Sequence, residues 1–145
     1  MISDRGLDLI KGFESLSLTA YPDPGTGGDP WTIGYGHTGG VQPGDTCTDA
    51  EATDWLRADC GSAEQCIDAH IDVEVNQNQR DALISFIFNV GCGNFKGSTL
   101  SKLINAGNFE AAAGQFGRWN RAAGRALAGL TRRRAAEAEL FSEVV

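Results

Sequence analysis

Apolar residues recur along this chain first at helical spacing, then at every second position, then at helical spacing again. Leu7, Ile10 and Glu14 fall at i, i+3 and i+7, which predicts a helix over Asp4–Phe13 and puts Glu14 in line with its apolar stripe. Residues 17–46 then hold eight of the 19 glycines and all four prolines. Their short apolar pieces, chiefly Trp31-Thr32-Ile33-Gly34-Tyr35-Gly36-His37, alternate large and small side chains, the mark of a small, turn-rich sheet. Thr48-Asp49-Ala50-Glu51 reads as a capping box, opening a helix of about 22 residues to near Ile71 with Leu56, Cys60, Ala63, Ile67 and His70 on one stripe. Asn76 or Asn78 caps a strongly apolar helix ended by Gly91, hydrophobic nearly all round and so the centre of a helical core. Further helices are predicted at Ser98–Asn105, Phe109–Arg118, Ala122–Leu127 and Thr131–Phe141. The fold class is therefore α+β with two lobes in a single domain, 1–145. A small β lobe covers about 15–47 and a connecting helix about 49–71; a larger helical lobe of about 72–145 takes in the N-terminal helix.

Length and charge narrow the class. A chain of 145 residues buries about 68–70% of its unfolded surface and builds a core without metal or several disulfides. The net charge of -7 speaks against a nucleic-acid or anionic-membrane binder. The total is unevenly spread, because residues 1–75 carry 14 acids and 3 bases whereas residues 76–145 carry 9 bases and 5 acids. Six of those bases, Arg118, Arg121, Arg125, Arg132, Arg133 and Arg134, suggest either a solvated face or a patch that meets an anionic surface. Nothing in the sequence approaches a membrane span, and the first residues contain no secretory apolar region, so the expected product is a soluble cytosolic monomer without stable membrane insertion.

Cys47, Cys60, Cys66 and Cys92 are separated by 12, 5 and 25 residues, not the paired spacing of structural zinc ligands, so no metal site is expected. Cys60 and Cys66 sit about 240° apart around one helix and cannot easily bond each other. Of the bridged arrangements Cys66–Cys92 fits best, and buried free thiols are the alternative a cytosolic product favours.

Glu14 at a helix end, Asp23 nine residues later and Thr32 in the following strand are the parts of a hydrolase. An apolar setting favours the protonated form of Glu14, while the Tyr21-Pro22-Asp23-Pro24-Gly25 turn favours ionised Asp23. Two carboxyl groups pushed in opposite directions is how a glycosidase assigns acid and base. Thr32, Gly34, Gly36 and Thr38 would form a small face open to a backbone-read ligand such as a polysaccharide. His37 is expected to be fixed by a hydrogen bond or an acidic partner rather than to act as a base.

Phe13-Glu14, Ala20-Tyr21-Pro22-Asp23 and Trp31-Thr32-Ile33-Gly34-Tyr35-Gly36-His37-Thr38-Gly39 together resemble the catalytic signature of the phage-type lysozymes, the muramidase endolysins of glycoside hydrolase family 24. Gln77-Asn78-Gln79-Arg80-Asp81-Ala82-Leu83, Phe88-Asn89-Val90-Gly91, Phe95-Lys96-Gly97-Ser98-Thr99-Leu100, Arg118-Trp119 and the run from Gly129 to Glu137 are similar to later family blocks in the same order. The resemblance spans essentially the whole chain. It implies a lysozyme-like fold, with the lobes joined by a long helix, and cleavage of the β-1,4 bond between N-acetylmuramic acid and N-acetylglucosamine in peptidoglycan, with no cofactor.

By position, Glu14 matches the general acid, Asp23 the second carboxylate and Thr32 the threonine of the triad; Gly36, Thr38, Phe88, Asn89, Ser98 and Arg118 match saccharide-lining positions. The implied outcome is inversion, which requires carboxyl groups roughly 6.5–9.5 Å apart. Ser15 stands where the family commonly has glycine, and the segment between Asp23 and Thr32 is longer than usual, which leaves Asp29 as an alternative second carboxylate. The resemblance also implies storage in the host cytoplasm until another protein opens the inner membrane, then action on the cell wall. The rival readings are a non-catalytic saccharide-binding module and a hydrolase of chitin or another glycan.

Overall fold

The computed structural model describes residues 1–122 and 124–143. Ala123, inside the expected 122–127 helix, and Val144 and Val145, at the end of the expected domain, lie outside the described residues. The chain divides into two compact units, Ile10–Asp59 and a discontinuous one made of Met1–Leu9 with Cys60 onward.

The Ile10–Asp59 unit holds the end of α1 (Asp4–Phe13), the strands β1 (Ser17–Tyr21) and β2 (Thr32–Gly34), and α2 (Asp49–Asp59). β1 and β2 are antiparallel, pairing Ser17 with Gly34 and Tyr21 with Thr32 around a bulge. Residues 45–47 add a short edge, through Ala20 N–H to the Asp45 carbonyl and Cys47 N–H to the Leu18 carbonyl, each 2.9 Å. The expected alternation from Trp31 to His37 is not one strand. Ile33 and His37 exchange both backbone hydrogen bonds at 2.9 Å, so the chain doubles back through Gly34 and Gly36, both at positive φ. A Cβ on Gly34 would also stand 3.0 Å from that of Ala52, so glycine there lets α2 pack directly on the sheet. The Thr48–Glu51 capping box forms as expected, with both reciprocal bonds at 3.1 Å.

The expected 22-residue helix is two, α2 and α3 (Gly61–His70), interrupted at Cys60 ahead of a glycine with low helix propensity. In the second unit α4 (Gln77–Val90) is the centre of the core. Residues 81–87 are all buried, and the ring of Phe86 meets those of Phe95, Phe116 and Trp119 edge-on. Asn76 caps α4 in a full capping box, and Gly91, at φ +90°, ends it. α5 (Cys92–Lys96), α6 (Thr99–Asn105), α7 (Phe109–Ala113), a 3₁₀ turn at Phe116–Arg118 and α8 (Ala128–Ser142) complete the helical part. The described residues of the expected 122–127 helix are not helical: β3 (Arg121–Ala122) and β4 (Arg125–Ala126) pair as a hairpin, with Gly124 at φ +77° between them. Cys66 and Cys92 are disulfide-bonded, tying α3 to the start of α5, while Cys47 and Cys60 remain thiols.

Candidate active site

Glu14 is the first residue past α1, and its N–H still donates to the Ile10 carbonyl at 2.9 Å. Leu7 and Ile10 on the same stripe are fully buried, whereas Glu14 is half-buried. The Gly36 turn comes alongside it, such that a Cβ on Gly36 would lie 3.8 Å from Glu14 Oε2. At φ +88° that position also favours glycine on backbone grounds.

Asp23 lies two residues beyond Tyr21, the register partner of Thr32, so sheet pairing brings the Asp23 turn and Thr32 to the same end of the hairpin. Its Oδ2 accepts hydrogen bonds from the N–H groups of Gly25 at 3.0 Å and Thr26 at 3.1 Å, and its carbonyl accepts that of Gly27 at 2.8 Å. This Asx turn holds the carboxylate in one direction and leaves Oδ1 clear of hydrogen bonds among the described residues. A Cβ on Gly25 would stand 3.0 Å from Oδ2, close enough to disturb it. The Thr32 hydroxyl donates to the Pro30 carbonyl at 3.3 Å, which leaves its lone pairs available. Asp29, the alternative carboxylate, is exposed, and its carbonyl accepts the Thr26 hydroxyl at 2.7 Å. Thr38 is exposed on the turn after Gly36.

His37 is fixed as expected. Its Nδ1 pairs with Asp59 Oδ2 at 2.8 Å, and its ring stacks on Trp55 with centroids 4.9 Å apart. Asp59 and Trp55 are four apart on α2, and α2 also anchors Tyr35, whose hydroxyl donates to Asp49 Oδ1 at 2.9 Å. These acids were not legible as partners, because only the hairpin fold carries His37 and Tyr35 back onto that helix.

Phe88, Asn89, Ser98 and Arg118 belong to the other unit. Phe88 is half-buried just past the buried run 81–87 of α4, Asn89 is exposed, and Arg118 is exposed with no ion pair among the described residues. Ser98 is 5% exposed and its hydroxyl caps α6. That hydroxyl donates to the Phe95 carbonyl at 2.6 Å and accepts Ser101 N–H at 3.1 Å, so it serves as a helix cap.

The expected basic run at Arg132–Arg134 is corrected. Arg133 and Arg134 are 3% and 0% exposed and enclose the fully buried Glu137. Arg134 Nε lies 2.7 Å from Glu137 Oε1, Arg133 Nε donates to Oε2 at 3.3 Å, and the Ser85 hydroxyl donates to Oε2 at 2.6 Å. Burial pushes the Glu137 carboxyl above its ordinary value, with Arg134, Ser85 and Arg133 drawing it back, and burial likewise lowers Arg134. Arg134 also donates to Asn89 Oδ1 at 2.8 Å, so this buried cluster orients one of the expected saccharide contacts.

The profile of the phage lysozyme family matches residues 11–137. The chain is 44% identical to an endolysin of Bacillus phage PZA over 97% of its own length and 55% of that relative's. It is 40% identical to an endolysin of Acyrthosiphon pisum secondary endosymbiont phage 1 over 97% of both chains. Thus it spans about half the length of the Bacillus phage relatives it matches. Its fold is similar to that of the muramidase domain of SpmX from Asticaccaulis excentricus, with a TM-score of 0.91, 36% identity and 99% of each chain covered. With its α+β, lysozyme-like fold, the chain belongs to the phage lysozyme family.

Proposed function

We propose that this chain is a muramidase that hydrolyses the β-1,4 bond between N-acetylmuramic acid and N-acetylglucosamine in peptidoglycan. The observation that carries the reading is the half-buried Glu14 carboxyl at the end of α1 with the Gly36 backbone beside it, in one unit with an Asp23 carboxylate held by two backbone N–H groups. Glu14 donates its proton to the glycosidic oxygen as the bond to the anomeric carbon breaks. Asp23 accepts a proton from a water that attacks that carbon from the opposite face, and the Thr32 hydroxyl positions the water. The product is inverted, and proton exchange with solvent resets both carboxyl groups. Gly36, Thr38, Phe88, Asn89, Ser98 and Arg118 are assigned to the saccharide. The proposed place of action is the cell wall, reached from the host cytoplasm once the inner membrane has been opened.

The test is clearing of outer-membrane-stripped bacteria, combined with the anomeric configuration of fresh product by NMR. Glu14→Gln is expected to lower the lytic rate about 100- to 10,000-fold, the range a general acid contributes. Equal lysis by that variant would remove Glu14 from the role, and a β anomer as first product would overturn inversion. A wild-type chain that binds sacculi without clearing them would be a saccharide-binding module, and one that cleaves only chitin oligomers would be a different glycanase.

A further inference from the structure

A second cluster of chemistry-bearing side chains belongs to the unit that holds none of Glu14, Asp23 and Thr32. The sulfurs of Cys66 and Cys92 and a ring nitrogen of His70 all lie within 4.8 Å of one another. Cys66 and His70 are four apart on α3 and so share a face. Cys92 enters from the start of α5, immediately after the glycine that ends α4. The backbone at His70 is pinned from a third element, since Asn105 donates to the His70 carbonyl at 2.9 Å and accepts Asp72 N–H at 2.8 Å.

We propose that the reduced chain binds one soft divalent cation of the zinc class through Cys66 Sγ, Cys92 Sγ and a ring nitrogen of His70. This site and the Cys66–Cys92 disulfide are mutually exclusive states of the same cluster. A dithiol supplies two electrons and two protons to the disulfide, leaving two protein thiols and becoming a disulfide itself. The cation then displaces both thiol protons and takes the lone pair of the neutral imidazole. Two thiolates cancel the charge of a divalent ion, so buried Cys66 is not left beside an uncompensated charge. On a tetrahedral ion two thiolate sulfurs lie about 3.8 Å apart, and the Cα atoms at 5.8 Å allow this with side-chain rotation. His70 and Cys92 are half-buried, so water can reach the fourth position. Thiolate and imidazole select zinc or cobalt over magnesium or calcium.

Sequence spacing hides this set, because 25 residues separate the two cysteines and the packing of α3 against α4 and α5 closes the gap. The oxidised protein is a built-in control, since it keeps the Cys47 and Cys60 thiols while the bridge is closed. Burial and the nearby Glu51 also hold the Cys47 thiol up, which makes it a poor ligand.

The experiment titrates Co²⁺ and then Zn²⁺ into the whole chain, reduced with a trialkylphosphine that is itself oxidised to the phosphine oxide with oxygen from water. The reduced chain is expected to take up one Co²⁺, with thiolate-to-cobalt charge transfer and the ligand-field bands of tetrahedral cobalt, all bleached by one equivalent of Zn²⁺. Zinc should raise the melting temperature of the reduced chain and leave that of the oxidised chain unchanged. His70→Gln, a change at a half-exposed helix end, should weaken Co²⁺ binding at least about tenfold and alter the ligand-field spectrum. Equal uptake by oxidised and reduced protein, unchanged affinity in His70→Gln, or a reduced chain that takes up no cation, folded or not, would each overturn the proposal.

Discussion

Asp81 is fully buried with an ionisable side chain, and its surroundings account for that. Its Oδ1 accepts the N–H of Ser3 at 3.0 Å and the Gln77 amide at 2.7 Å, while Oδ2 takes the Ser3 hydroxyl. Ser3 in turn caps α1, with Gly6 N–H 3.2 Å from its hydroxyl oxygen, and a Cβ on Gly6 would strike Asp81 and Ile2 at under 3.0 Å. Asp81→Ala removes the buried acceptor that ties Ser3 and Gln77 together and is expected to cost about 2–4 kcal/mol in denaturant unfolding, against about 1 kcal/mol or less for Gln77→Ala. At this scale Glu14, Asp23 and Thr32 stand out in the sequence by residue type and interval, and His37 by its need for a partner. Arg133 and Arg134 do not, because a run of three arginines is normally a solvated face and only the position of Glu137 draws two of them inward.

Among the elements, those set by neighbours in sequence were legible and those set by distant pairing were not. The caps at Thr48 and Asn76 are local chemistry and can be read directly. The doubling of Trp31–His37 and the hairpin at 121–126 each depend on a glycine at positive φ and a partner strand, neither of which an alternating or helical pattern encodes. α8 shows what an element gains from its interior ions: Arg134 links it to Asn89 on α4 and lies over the Phe86 ring, 5.0 Å from the centroid. Arg134→Leu breaks a buried pair and leaves Glu137 with less compensation, so unfolding measurements should show a loss of about 3–5 kcal/mol. The Asn89 side-chain amide should also shift in NMR spectra, because its carbonyl loses the donor.

For the whole molecule, burial changes where charge resides without changing its sum. In residues 76–145 the buried ions are Arg133, Arg134, Asp81 and Glu137, which cancel, so the excess of 9 bases over 5 acids in that half all faces solvent. The basic surface is therefore carried by residues such as Arg118, Arg121, Arg125 and Arg132 rather than by the run at 132–134. Replacing Arg121 and Arg125 by Gln is expected to weaken retention on isolated cell-wall sacculi at low salt, with little difference remaining at high salt. Unchanged retention at low salt would mean that the hairpin does not face the wall.

The discontinuous unit also bears on how the chain is made. Ser3 finds Asp81 78 positions away and Arg5 finds Glu143 138 positions away, whereas Ile10–Asp59 is one unbroken stretch. On a ribosome the Ile10–Asp59 stretch is exposed in full while most of its partner unit is still unsynthesised, and the opening helix waits for α4 and then α8 before its contacts are complete. The order in which contacts are completed therefore departs from the order of synthesis: residues translated first are among the last to be secured.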